Sequence, residues 1–137
     1  ARQAGEIDPL ASSAEIGERS LGMVTSAQAK GIKEAADGYD FSIRADAVRH
    51  ILRQHGNEKS EAAQGQRAIT ADDFARLPQI LNAGTPRYVG RSEGYDRPVY
   101  ETAVKIDAEE YVARWEYWPR RKTMALITFF VRTGGRS

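Results

Sequence analysis

Residues 99–132 read VYETAVKI (99–106), DAEE (107–110), YVARWEYW (111–118), PRRK (119–122) and TMALITFFVR (123–132), and this stretch decides the fold class. Aromatic and β-branched residues alternate with charged ones, the period-two pattern of strands with one buried face. The connectors 107–110 and 119–122 are too short for a parallel crossover, so the three strands must follow one another as antiparallel hairpins. Arg87–Arg91 can add a fourth strand. Alternation sorts the side chains onto two faces. Tyr100, Val104, Ile106, Tyr111, Ala113, Trp115, Tyr117, Ala125, Ile127, Phe129 and Val131 make an apolar face, the predicted core. Glu101, Lys105, Arg114, Glu116, Thr128 and Arg132 fall on the other, among Met124, Leu126 and Phe130.

Upstream of Arg87 the pattern is helical. Thr25-x-x-Gln28 has the form of a capping box and opens a helix running toward Gly38. Tyr39–Arg44 alternates as a short extended piece. Asp46 can cap a second helix that ends at Gly56, a natural left-handed stop. Residues 57–67 read as a polar loop, Thr70-Ala71-Asp72-Asp73 caps a third helix closing before Pro78, and 82–86 is a turn cluster. Residues 1–24, small and polar with isolated apolar positions, are expected to form a linker or loosely attached arm, leaving 25–137 as the domain. The fold class is α+β: short N-terminal helices packed on a C-terminal antiparallel sheet of three to four or more strands.

A chain of 137 residues is one domain by length and can bury about two-thirds of its unfolded surface. With no cysteine it has no disulfide framework, thiolate metal site or cysteine nucleophile. No apolar run approaches a spanning helix. The net charge of +1 conceals an asymmetry. Residues 1–86 carry ten basic against twelve acidic side chains, net −2, and residues 87–137 carry ten against seven, net +3. Alanine at position 1, no methionine before Met23 and no signal-like apolar stretch lead to the expectation of a piece of a longer polypeptide.

The polar sheet face has the chemistry of a phosphodiester site. Lysine and arginine can stabilise a pentacoordinate phosphorane, and a carboxylate can take or hold a proton. The same face also fits an ordinary solvated surface with cross-strand ion pairs. Only His50 and His55 can supply imidazole. At about 100° per residue, Ala47, Val48, Ile51 and Leu52 form one side of their helix, His55 falls at the end of that side, and His50 points nearly the opposite way. The two are about 140° apart, not the i, i+4 spacing of a helical metal site. A helix on the apolar face would hold both away from Glu116 and Thr128, so a joint site needs either that helix at a sheet edge or a different assignment of the sheet faces.

The run Val48-Arg49-His50-Ile51-Leu52-Arg53-Gln54-His55-Gly56, followed by Glu61, Gly65-Gln66, Ile69-Thr70, Asp73-Phe74 and Leu77-Pro78, and then by the Glu116 strand and Leu126-Ile127-Thr128-Phe129-Phe130, resembles the phage-associated nuclease toxins grouped with barnase, EndoU, colicin-type and RelE ribonucleases, the BECR group. The resemblance covers about residues 25–133. It implies a metal-independent endoribonuclease toxin without cofactor, cutting RNA, with tRNA one candidate substrate, by 2′-hydroxyl attack to a 2′,3′-cyclic phosphate. It carries over His50, His55, Glu116, Thr128 and Lys105 as catalytic candidates, with one of the two histidines as principal acid or base and Glu116 as its counterpart or orienter. Arg114, Arg121, Lys122 and Trp118 become substrate-binding candidates. Where relatives often end the last motif with tyrosine, this chain has Phe130. Such domains sit at the C-terminus of phage structural proteins or polymorphic toxins, secreted or carried on virions, and act in a target-cell cytoplasm. A cognate immunity protein follows from the same resemblance. The rival classes are an RNA-binding module without catalysis and a structural or interaction domain of a phage protein.

Overall fold

The computed structural model describes residues 18–34 and 36–133. The chain enters as β1 (Glu18–Met23), passes the one-turn helix α1 (Ser26–Ala29) and returns as β2 (Asp40–Arg44). Helix α2 (Ala45–His55) continues from β2 without a break. It is followed by α3 (Glu58–Ala62), the two-residue strand β3 (Gln66–Arg67), α4 (Ala71–Phe74) and α5 (Leu77–Ala83). Strands β4 (Arg87–Arg91), β5 (Pro98–Ile106), β6 (Glu109–Trp118) and β7 (Thr123–Thr133) complete an α+β fold.

The C-terminal hairpins form as expected, but the sheet is larger and mixed. Seven strands run in the order β1-β2-β7-β6-β5-β4, with β3 also beside β7. The N-terminal strand β2 pairs with β7 in parallel, Asp40 opposite Thr123 and Ser42 opposite Ala125. This pairing spans some eighty residues of sequence, and no turn signal announces it. Strand β1 pairs with β2 and so belongs to the sheet, although residues 18–23 read as part of an arm; residues 1–17 of that arm lie outside the described residues. The helices are therefore inserted between strands rather than placed ahead of them.

Local signals are mostly realised on a smaller scale. The Thr25–Gln28 capping box closes both ways, Thr25 Oγ1 accepting from Gln28 N at 3.1 Å, yet α1 lasts one turn. Gly31 then packs so tightly on the Pro86 carbonyl that a Cβ would lie 2.0 Å from its oxygen. Arg44, with extended backbone, rather than Asp46 precedes α2. The supposed loop 57–67 contains α3, capped by Asn57 Oδ1 on Ser60 N at 3.0 Å, and β3. Thr70 and Asp73 form the expected capping box of α4. Pro78 opens a further helix, α5, in whose first turn the missing N–H is harmless, so Asn82 and Ala83 are helical rather than turn residues.

The core lies on one sheet face under the helices, where Val48 and Ile51 of α2, Phe74 of α4 and Leu77 and Ile80 of α5 meet Tyr100, Tyr111, Trp115, Phe129 and Val131. One bulge corrects the sequence-derived faces. Arg114 pairs with Thr128 but Trp115 pairs with Leu126, so Ile127 is an extra residue in β7. Before it, Met124 and Leu126 join the core while Ala125 lies on the opposite face; after it, Thr128, Phe130 and Arg132 keep the polar face.

Strand β7 is also covered discontinuously on the side away from β6. Strand β2 pairs with residues 123–125, β3 pairs with Val131 and Arg132, and between them the His55 end of α2 meets Thr128 and Phe130. The helix thus occupies an interruption in the sheet edge. Its end is fixed by Ile69 N, which donates to the His55 carbonyl at 2.7 Å. Gly56 stops the helix differently from expectation: φ is −94°, not left-handed, and a Cβ there would lie 2.3 Å from the Leu52 carbonyl oxygen. Gly56→Ala must therefore displace the last turn of α2, with an expected destabilisation of about 1–3 kcal/mol in urea denaturation. An unchanged midpoint would contradict this account of the turn. Among the described residues no helix is long and apolar enough to cross a membrane.

Candidate active site

The placement of α2 brings a helix histidine to the polar face. His55, at the end of the apolar side of α2, has a side chain 17% exposed. Its Nδ1 lies 3.1 and 3.2 Å from the two oxygens of Glu61, a carboxylate only 1% exposed on α3. Its Nε2 lies 3.4 Å from Thr128 Oγ1 of β7. A nitrogen facing two carboxylate oxygens is the one that carries hydrogen, so Nδ1–H donates to Glu61 and Nε2 is left to exchange a proton. The Phe130 ring lies beside the imidazole, centroids 5.5 Å apart and planes tilted by 32°. It gives that side of the imidazole an apolar wall.

Strand register extends the centre sideways. Thr128 lies opposite Arg114, and Arg114 opposite Glu101, in one row across β7, β6 and β5. Arg114 Nε donates to Glu101 Oε2 at 3.0 Å, and Arg87 Nη2 of β4 donates to Glu101 Oε1 at 2.9 Å. The Arg114 guanidinium also lies 5.4 Å from the Phe130 ring. Two strand spacings, about 10 Å, separate the ends of the row, which leaves space for a phosphodiester between carboxylate and imidazole over a guanidinium.

The other candidates fall elsewhere. Glu116 is on the same face one row further along, about 6.8 Å by strand geometry. It is buried, accepts from Trp118 Nε1 at 2.5 Å and pairs with Arg97 at 3.6 Å. Its partners therefore replace the expected contact with a histidine. His50 and Glu116 line a groove of about 1390 Å³ together with Trp118 and Arg121. Arg121 is ion-paired with Glu18 of β1. Lys105 lies two rows from Thr128 in the opposite direction, about 13 Å by strand rise, facing Glu110, which pairs with Arg132 at 3.0 Å. Lys122 does not line the groove; it occupies the β6–β7 turn with a left-handed φ of 51°, its N–H donating to the Pro119 carbonyl. The candidates form two adjoining centres, one built on His55, Thr128 and Arg114 and one on His50, Glu116, Trp118 and Arg121.

Sequence reasoning passed over Glu61 and Glu101 as site residues. Glu61 appears in the resemblance motif, but its contact with His55 depends on the turn at Gly56. Glu101 is on the polar face by alternation, and counting register through the two hairpins would have aligned it with Arg114. Among the described residues no three metal-ligating side chains converge. No family model, curated protein or solved structure matches the chain.

Proposed function

We propose that the domain is a metal-independent endoribonuclease, a toxin domain acting on RNA in a target cytoplasm. The observation that supports this most is the imidazole held by a buried carboxylate, with its second nitrogen directed to Thr128 at one end of the Glu101–Arg114–Thr128 row. The RNA phosphate lies over Arg114, whose Nε is taken by Glu101 and whose terminal nitrogens make no hydrogen bond among the described residues. Glu101 accepts the 2′-hydroxyl proton as O2′ bonds to phosphorus. The P–O5′ bond breaks, and His55, entering the step as an imidazolium with hydrogen on both nitrogens, gives the Nε2 proton to the leaving oxygen. Arg114 stabilises the charge on the phosphorane, Thr128 donates to a phosphate oxygen, and Glu61 keeps the ring in one orientation. The products are a 2′,3′-cyclic phosphate and a free 5′-hydroxyl. A producing cell then needs a cognate immunity protein.

Incubation of the domain with total RNA and a chelator tests the proposal through the chemistry of the new ends. The expected result is cyclic phosphate termini and an intact DNA strand of the same sequence. RNA left whole, or DNA cut at a similar rate, overturns it. Glu101→Gln is expected to lower kcat by roughly a hundredfold or more, and Glu116→Gln by much less; the reverse order would move the carboxylate role to Glu116.

A further inference from the structure

The groove beside His55 has a composition the proposed chemistry leaves unused. It lies between α2, the loop 92–97 and the turn 119–121, and five guanidinium groups line it against three carboxylates. Aromatic rings and guanidiniums interleave along it. Arg97 lies 5.2 Å from the Tyr95 ring and 5.5 Å from the Trp118 ring, and Arg44 and Arg121 approach the same indole at 5.8 and 5.9 Å. The Trp118 ring is held in place by its hydrogen bond to Glu116. Tyr95 is 72% exposed. Arg53 on α2 and Arg120 in the opposite turn have no hydrogen-bond or ion-pair partner among the described residues, so the two walls offer unspent cations.

We infer that this groove binds single-stranded nucleic acid, and that, given the ribonuclease proposed above, the substrate is unpaired RNA whose neighbouring nucleotides lie here while one phosphate reaches His55. Cations on facing walls hold the backbone, and aromatic and guanidinium planes take base faces without reading sequence. A duplex keeps its base faces stacked inside and has none to offer Tyr95 or Trp118. The groove and the His55 centre share β6 and β7, with Glu116 one row from Arg114 and Leu126–Ile127 preceding Thr128, so one strand can occupy both.

Binding of a labelled single-stranded oligodeoxynucleotide, which lacks the 2′-hydroxyl and stays intact, tests the inference by polarisation across a salt series. The intact chain is expected to prefer the single strand to the same sequence in duplex. Arg53→Glu combined with Arg120→Glu should flatten the slope of log K against log salt by about 1.4, the loss of two single-strand phosphate contacts. Tyr95→Ala should weaken binding about fivefold or more. Equal affinity for duplex, or an unchanged slope and affinity in these surface variants, overturns the groove assignment. The two proposals fail separately. Single-strand binding that depends on Arg53 and Arg120 while RNA stays whole removes the ribonuclease and keeps the groove. RNA cleavage with the same kcat/KM in the double variant removes the groove and keeps the ribonuclease.

Discussion

His55→Ala should lower kcat for RNA cleavage by roughly a hundred- to ten-thousandfold, the usual contribution of a positioned acid or base. The effect is large because imidazole can be supplied only from His50 or His55, and His50 opens into the groove rather than onto Thr128. Alanine also strips the buried Glu61 carboxylate of its partner, so stability must be measured alongside. Glu61→Gln separates the two effects. It keeps a hydrogen-bonding group beside Nδ1 but removes the pure acceptor that defines the ring orientation. The expected outcome is a fall in kcat with KM little changed and the urea midpoint near that of the parent. A variant that unfolds more easily yet retains full kcat would make Glu61 a structural residue only. Full activity in His55→Ala would remove this imidazole from the mechanism.

Arg67→Ala should destabilise the fold by about 3–5 kcal/mol, the cost of leaving a buried ionic partner uncompensated. Arg67 donates from Nε to Glu109 at 2.7 Å, from Nη1 and Nη2 to both oxygens of Asp73 at 2.9 and 2.8 Å, and from Nη2 to the Tyr111 hydroxyl at 3.0 Å. It thereby ties β3 to α4 and β6, the elements around the C-terminal half of β7. Burial alone pushes the Asp73 carboxyl upward, but the Arg67 hydrogen bonds, with the Thr70 amide and hydroxyl, outweigh it and hold the group below its ordinary 3.8. The same contacts raise the Arg67 guanidinium. A carboxyl depressed in the folded state stabilises at pH values above its unfolded pKa, and that stability is lost as pH falls through the lower folded value. The unfolded carboxyl is common to both proteins, so their difference should shrink on acidification through the folded value of the variant, which lies above the parent's once the Arg67 contacts are gone, and be lost below the parent's lowered value. Urea titrations across that range measure it, and a difference that does not change with pH would rule out Asp73 as its source.

The parts of the fold legible in sequence were those governed by short-range rules. Strands β4 to β7 announced themselves by alternation, and the capping boxes at Thr25 and Thr70 were written in adjacent residues. The polar character of α3 hid a buried Glu61, because composition does not report a partner on another element. The bulge at Ile127 broke the two-residue rule for the first half of β7, since an extra residue inverts every side chain before it. Among the site candidates, Thr128 and His55 were brought together, while Glu116 and His50 were gathered into the adjoining groove.

Alternation and helical periodicity, read from the chain alone, determined that a sheet with one polar face exists, that Arg114, Glu101 and Thr128 share it, and that His55 lies on the apolar side of its helix. Those are consequences of backbone geometry between near neighbours. Only the tertiary structure decided that β2 pairs with β7 across some eighty residues and that α2 fills the interrupted edge of β7, turning a histidine on an apolar helical side toward the polar face. That choice depends on which surfaces bury best together once all elements are present, a balance over the whole core that no local stretch contains.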